Sequence, residues 1–228
     1  MKTGSYIRSA GEMLLTQCPS SRVVPDHFYD FLHKLFDQLD DADASTICLS
    51  GAFSLNSYGS INRAVSALDM CVLTPAVRNI ILQPDCFVSE DISSGGVERY
   101  KIRCHNDMHV CLYNHSKFPD NLGVINVHGQ RIQLYPAIDI IRYKMAMLSD
   151  RSSGMTNGQL QKHMNDIVSF LHNSAKNVRQ TFQTTVPTLV KSVNAYCSVK
   201  GFSTRYDATT CNDSRYEGLT FDIRMSSS

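Results

Sequence analysis

An excess of charge of either sign is nearly missing from this chain. Its 22 Lys and Arg residues against 21 Asp and Glu leave a formal net charge of +1. Bulk attraction to nucleic acid or anionic membrane is thereby excluded, and any polyanionic partner would have to be held by a local basic patch. Long apolar runs are missing too, since no stretch approaches the roughly 18–20 residues of a membrane span. Met1 to Leu15 lacks the continuous apolar core of a secretory signal. The expectation is a soluble, cytoplasmic protein with no membrane partner. Among the eight cysteines no pair has Cys-x-x-Cys spacing, which excludes the common zinc and redox motifs. Cys48, Cys71, Cys104 and Cys111 sit in apolar, strand-like runs, where cysteine behaves as a small hydrophobe. Free thiols in a reducing compartment are expected. There are no internal repeats, and no low-complexity tract beyond the Ser-Ser-Ser end.

What is present is an ordinary globular composition, 43% hydrophobic and 19% charged over 228 residues, enough for one large domain or two small ones. A short helical candidate lies near Ala10–Gln17. Pro25 then opens an amphipathic helix with Phe28, Phe31, Leu32, Leu35, Phe36 and Leu39 at three- and four-residue steps. Its acidic close, Asp37 to Asp43, reads as a solvated face. Strands are expected at Ser45–Leu49 and Leu68–Leu73, with a short helix at Phe53–Tyr58 between them and another from Pro75 through Leu82. Ser93-Ser94-Gly95-Gly96 reads as a turn or flexible loop. Arg99–Cys104 and Met108–Asn114 pair as a hairpin across His105-Asn106-Asp107, and Val124–Val127 pairs with Arg131–Leu134 across His128-Gly129-Gln130. From Pro136 the period changes to about 3.6. Helices are expected at Ala137–Leu148, Gln159–His172 and Ala175–Tyr196, the last interrupted near Pro187. The expected class is α+β (α/β): a mixed-sheet domain with N-terminal helices over residues 1–135, a helical subdomain packed on it over 136–200, and an irregular tail over 201–228.

Two segments carry a resemblance. The first runs Leu49-Ser50-Gly51-Ala52-Phe53-Ser54-Leu55, then Tyr58-Gly59, then Arg63-Ala64-Val65-Ser66-Ala67-Leu68-Asp69. The second, Ile132 to Leu171, holds Lys144, Arg151, Lys162 and Asp166. Together they span about half of the chain. They resemble the DNA polymerase β-like nucleotidyltransferase superfamily, and within it the minimal AbiEii-type toxin enzymes. The resemblance implies Mg²⁺-dependent transfer of a nucleoside monophosphate from an NTP to an RNA or protein acceptor. Ser50, Gly51, Ser54, Arg63, Lys144 and Lys162 would hold the nucleotide, Asp69 the metal, and Asp166 would orient nucleotide or acceptor. The physical logic is a glycine turn whose free N–H groups face phosphate, and carboxylates at i and i+2 of one strand that share hard cations.

The pattern departs from the family in two places. Position 67, where the family has its first metal-binding carboxylate, is Ala67, so transfer is expected to be negligible and metal binding weak or absent. That alanine reads either as native, making a degenerate nucleotide- or partner-binding module, or as an inactivating substitution. The third carboxylate, on the neighbouring strand, falls at His109 or Cys111. Blander readings stand beside these: Ser50-Gly51 as an ordinary strand-to-helix turn, Lys144 as a lysine with its head in water, and Lys162–Asp166 as a surface i,i+4 pair. His105, His109 and His115 read as satisfied or exposed rather than metal-bound. Met145, Met147, Met155 and Met164 read mostly as core filling. Lys101, Arg103, Lys117 and Arg131 read as a candidate basic strip at the sheet rim.

Overall fold

The computed structural model describes residues 23–75, 78, 81, 86–94, 97–104, 108–150, 154–212 and 219–227. The helical candidate at Ala10–Gln17, most of Pro75–Leu82, the His105-Asn106-Asp107 turn and Arg151 lie outside them. Two compact units divide between Ile140 and Ile141.

In the first unit, α1 (Asp26–Phe36) starts directly after Pro25 and buries Phe28, Leu32, Leu35 and Phe36. α2 (Asp41–Ala44) follows, its first turn capped by the Asp40 carboxylate accepting from the Asp43 N–H at 2.8 Å. Then come β1 (Ile47–Ser50), α3 (Gly51–Ser57), β2 (Leu68–Val72), β3 (Cys86–Ser94), β4 (Val97–Cys104), β5 (His109–Asn114), β6 (Gly123–Val127) and β7 (Gln130–Leu134). The seven strands form one sheet in the order β3-β4-β5-β2-β1-β7-β6. β1–β7 and β2–β5 are parallel and the other pairs antiparallel. The expected strands, both hairpin pairings and the mixed α/β class are therefore those of the structure. His128 and Gly129, both at positive φ (51° and 91°), turn β6 into β7 in the conformation that favours such residues.

β3 was not expected; of the expected turn or loop, Ser93 and Ser94 are its last residues, Ser94 pairing with Val97, and Gly95-Gly96 lie outside the described residues. The reason is its place at the sheet edge. Edge strands carry charge and bulges that blunt further pairing, and β3 holds Glu90 and Asp91 next to a register shift between Val88 and Glu90. Such a strand lacks the apolar alternation of a central one.

Alternation gives the sheet two unlike faces. One carries Ile47, Leu49, Leu68, Met70, Ile102, Val110, Leu112, Ile125, Ile132 and Leu134, all fully buried. The opposite face carries Cys48 and Ser50 of β1, Asp69 and Cys71 of β2, and His109, Cys111 and Tyr113 of β5. Cys48 and Cys71, directly opposite each other, pack with Phe118 against Leu73, Tyr113, Leu122 and Tyr135.

The second unit, Ile141–Ser228, takes in most of α4 (Ala137–Ser149), then α5 (Asn157–Asn173), α6 (Lys176–Thr181), α7 (Thr185–Lys200), β8 (Thr204–Asn212) and β9 (Leu219–Ser227). Thr156 and Gln159 form a capping box at the start of α5. The expected break near Pro187 falls just before it, between α6 and α7, because proline fits the first turn of a helix where its missing N–H has no intrahelical partner. The tail expected to be irregular is instead an antiparallel hairpin, Thr204 pairing with Ser227 through Asn212 with Leu219. Its polar composition hides a two-residue period of Leu219, Phe221, Ile223 and Met225. Asn194 of α7 fastens it: its amide donates to the Tyr206 carbonyl at 2.7 Å and accepts from the Tyr206 N–H at 2.9 Å. No helix among the described residues is long and apolar enough to cross a membrane.

Candidate functional site

Predicted site residues gather in two groups, one in each unit. The first lies where β1 ends. Ser50 stands opposite Asp69 in the β1–β2 register, and Gly51 follows at φ +60°. A Cβ on Gly51 would lie 1.8 Å from Asp69 Oδ2, 2.7 Å from its Cγ and 2.9 Å from its Cβ. Glycine is thus required twice, for the left-handed backbone and for the closeness of the Asp69 carboxylate. Tyr113 donates to Asp69 Oδ1 at 3.2 Å. Sequence reasoning missed Tyr113, whose contact follows from the parallel β2–β5 register and has no signal in spacing along the chain.

The Ser50 hydroxyl is hydrogen-bonded to the Cys71 thiol instead of capping α3. Burial pushes that thiol up to about 12; the Asp69 charge adds to this and the Ser50 bond opposes it. Burial likewise drives Cys48 well above the ordinary thiol range. Thiols held protonated in this way are packing groups, not nucleophiles. Cys48, Cys71, Cys104, Cys111 and Cys197 are all buried and in no disulfide.

Contacts and register bear on three further positions. Ser54 is fully buried and its hydroxyl donates to the Tyr135 carbonyl at 2.7 Å, joining α3 to the end of β7. That geometry makes it a structural tie, not a phosphate donor. Arg63 is half-buried and folds back, donating from Nη1 to the Ala64 carbonyl at 3.1 Å, while Asn56 of α3 donates to the Arg63 carbonyl at 3.0 Å. The register also decides the third carboxylate position: Cys111, not His109, lies beside Asp69.

The residues do not fit a paired Mg²⁺ site. Beside Asp69 stand Ala67, two residues earlier, and the buried thiol of Cys111. Mg²⁺ takes hard oxygen ligands in octahedral geometry, and a thiol is a soft substitute. No group of three or more His, Cys, Asp or Glu side chains among the described residues could hold a metal ion.

The second group lies between α4 and α5. Lys144 is buried, and its ammonium lies 3.1 Å from Asp166 Oδ2 and 3.1 Å from His163 Nδ1. Asp166 is 1% exposed. The head of Lys144 is thus not in water, and Asp166 turns inward to it, whereas Lys162 on the same helix is exposed. His163 and Asp166 are one helical turn apart, so both reach the same lysine. His163 was not anticipated.

The basic strip does not assemble. Lys101 and Arg103 are on β4 and Arg131 on β7, with β5, β2 and β1 between them, a separation of about 19 Å at some 4.8 Å per strand. Lys117 pairs with Asp120 at 3.5 Å in solvent. Met145 and Met164 are core residues, as expected. His105 lies outside the described residues. His115 is half-buried, which holds its pKa below the ordinary value.

No family model and no curated protein matches the sequence. Among solved structures, the chain is similar to an antigenic nucleotidyltransferase-like protein from Paracoccidioides brasiliensis, at 18% identity and TM-score 0.43 over 77% of this chain and 93% of that one. It is also similar to JHP933 from Helicobacter pylori, at 14% identity and TM-score 0.40 over 75% and 81%. A third similar structure is that of the antibiotic-resistance factor ANT(2'')-Ia, at 12% identity and TM-score 0.42 over 72% and 95%. Overlays this loose leave the functional reading to the residues themselves.

Proposed function

We propose that the chain is a nucleotidyltransferase-like protein whose site descends from transfer of a nucleoside monophosphate from an NTP to an RNA or protein hydroxyl, and that the chain transfers negligibly as it stands. The observation that supports this most is the fit of Gly51 against Asp69. A glycine at positive φ, pressed on a strand carboxylate that stands opposite Ser50, is more than a generic strand-to-helix turn needs. It fixes that carboxylate at the mouth of β1, where the resemblance calls for a metal ligand. Lys144 and Asp166 would serve the triphosphate and its orientation.

Ala67 and Cys111 withhold the partners that Asp69 would need to neutralise charge on the transferred phosphoryl group. Loss of such stabilisation costs about 3–4 kcal/mol per group, or a hundredfold to a thousandfold in rate. The test is incubation of this chain and of Ala67→Asp with each labelled NTP, Mg²⁺ and a cell lysate as acceptor source. Label should pass to RNA or protein with Ala67→Asp and not with the unaltered chain. Equal, zero transfer by both, together with no nucleotide binding by either, would remove the enzyme ancestry from the reading.

A further inference from the structure

Lys144 is held by two acceptors of different kind, and only one of them belongs to the resemblance. Asp166 Oδ2 and His163 Nδ1 each lie 3.1 Å from the Lys144 ammonium, and the lysine side chain is 8% exposed. We infer that His163 is a positioning residue: it acts through Lys144, dividing the ammonium's hydrogen bonds with Asp166 so that the cation stays poised for a polyphosphate oxygen. This inference rests on the nucleotide reading of Lys144 given above.

An ammonium carries three protons and no acceptor. Asp166 alone, 1% exposed, would draw the lysine into a closed pair, whose attraction repays the carboxylate's desolvation only where further hydrogen bonds satisfy the remaining protons and lone pairs. His163 Nδ1 takes one N–H on the other side and opposes that collapse. To accept there, His163 must be neutral with its proton on Nε2, because a proton on Nδ1 would face the ammonium. The imidazole thus holds the cation without neutralising it. Asp166 cancels the charge once, and the imidazole leaves that balance unchanged.

Asparagine places a carbonyl oxygen near the position of Nδ1, whereas leucine fills the space and accepts nothing. The full chain is compared with His163→Asn and His163→Leu in two measurements. The first is calorimetric titration with inorganic tripolyphosphate. The second follows the ¹⁵N resonance of the Lys144 ammonium, assigned by its loss in Lys144→Met. His163→Asn should bind tripolyphosphate within about twofold of the unaltered chain and keep the Lys144 resonance. His163→Leu should bind about tenfold more weakly and shift or broaden that resonance. If His163→Leu binds equally and leaves the resonance in place, His163 positions nothing and the inference is overturned. If no form binds tripolyphosphate, yet the resonance moves in His163→Leu and not in His163→Asn, the positioning role stands and the nucleotide reading of Lys144 is what fails.

Discussion

Gly51→Ala puts the first candidate group under direct test. Two costs are separable. The methyl must occupy φ +60°, which costs a non-glycine residue about 1–2 kcal/mol. It must also meet Asp69. Rotation of the carboxylate would relieve the 1.8 Å contact with Oδ2, but the 2.9 Å contact is with Asp69 Cβ, which side-chain rotation does not move. The strand or the turn must shift, and the Tyr113 bond to Oδ1 at 3.2 Å, a bond to a charged group worth about 1.5–3 kcal/mol, goes with it. The sum is about 2.5–5 kcal/mol. Gly59, at φ +67° with nothing within 4 Å of where its methyl would lie, is the internal control: Gly59→Ala should cost only the backbone share, about 1–2 kcal/mol. Urea unfolding of both, and of Gly51→Ala in an Asp69→Gly background, separates the terms. The double variant should lose most of the excess, since both the clashing carboxyl and the Cβ of residue 69 are gone. Equal costs for Gly51→Ala and Gly59→Ala would refute the claim that Asp69 is pressed on Gly51.

Lys144→Met should destabilise by about 3–5 kcal/mol, because it removes the cation facing the Asp166 carboxylate, which is 1% exposed; Lys144→Met with Asp166→Leu should recover most of that in the same unfolding assay, and no recovery would argue against a buried pair. Burial lowers the pKa of His115 in the fold, so the unfolded chain binds more protons as the pH falls through the ordinary histidine value of about 6.5. Stability should therefore drop from about pH 7.5 to pH 5, and His115→Asn should flatten that drop in thermal melts; an unchanged slope would dismiss it. Ala67→Asp should raise Mg²⁺-dependent ATP affinity by about tenfold, and adding Cys111→Asp, beside Asp69 in the register, should raise it again. Calorimetry with and without Mg²⁺ reads both steps, and no gain from the second would mean that Cys111 is not the missing ligand position.

Much of the fold is legible along the chain because it rests on local periodicity. The helix after Pro25, the two central strands and both antiparallel pairings around His128-Gly129 and ahead of Met108 follow from apolar spacing and turn residues. What escapes is what solvent and the sheet edge permit. β3 sits at the edge, where Glu90 and Asp91 are tolerated. The β8–β9 hairpin keeps its apolar period on one strand only, Leu219 to Met225, and Asn194 from a helix fastens the other through Tyr206, tertiary support that a lone hairpin lacks.

The site is legible in its residue types and less so in what they touch. Ser50, Gly51 and Asp69 meet because β1 and β2 are antiparallel neighbours with Ser50 opposite Asp69, a pairing that a strand-turn-helix-strand pattern already suggests. Ser54 lies one helical turn on and looks equivalent in the pattern, yet its side chain points into the protein and its hydroxyl is used by Tyr135. A resemblance transfers a residue to a position; it does not transfer the neighbours that set its chemistry. Lys144 is the sharpest instance. As a pattern element it is a cation for phosphate, whereas in the fold it already has a carboxylate and an imidazole at 3.1 Å. Any anion must compete with Asp166 for it. The strength of that competition, set by two residues on one face of α5, decides whether Lys144 is a ligand-binding group or part of the core.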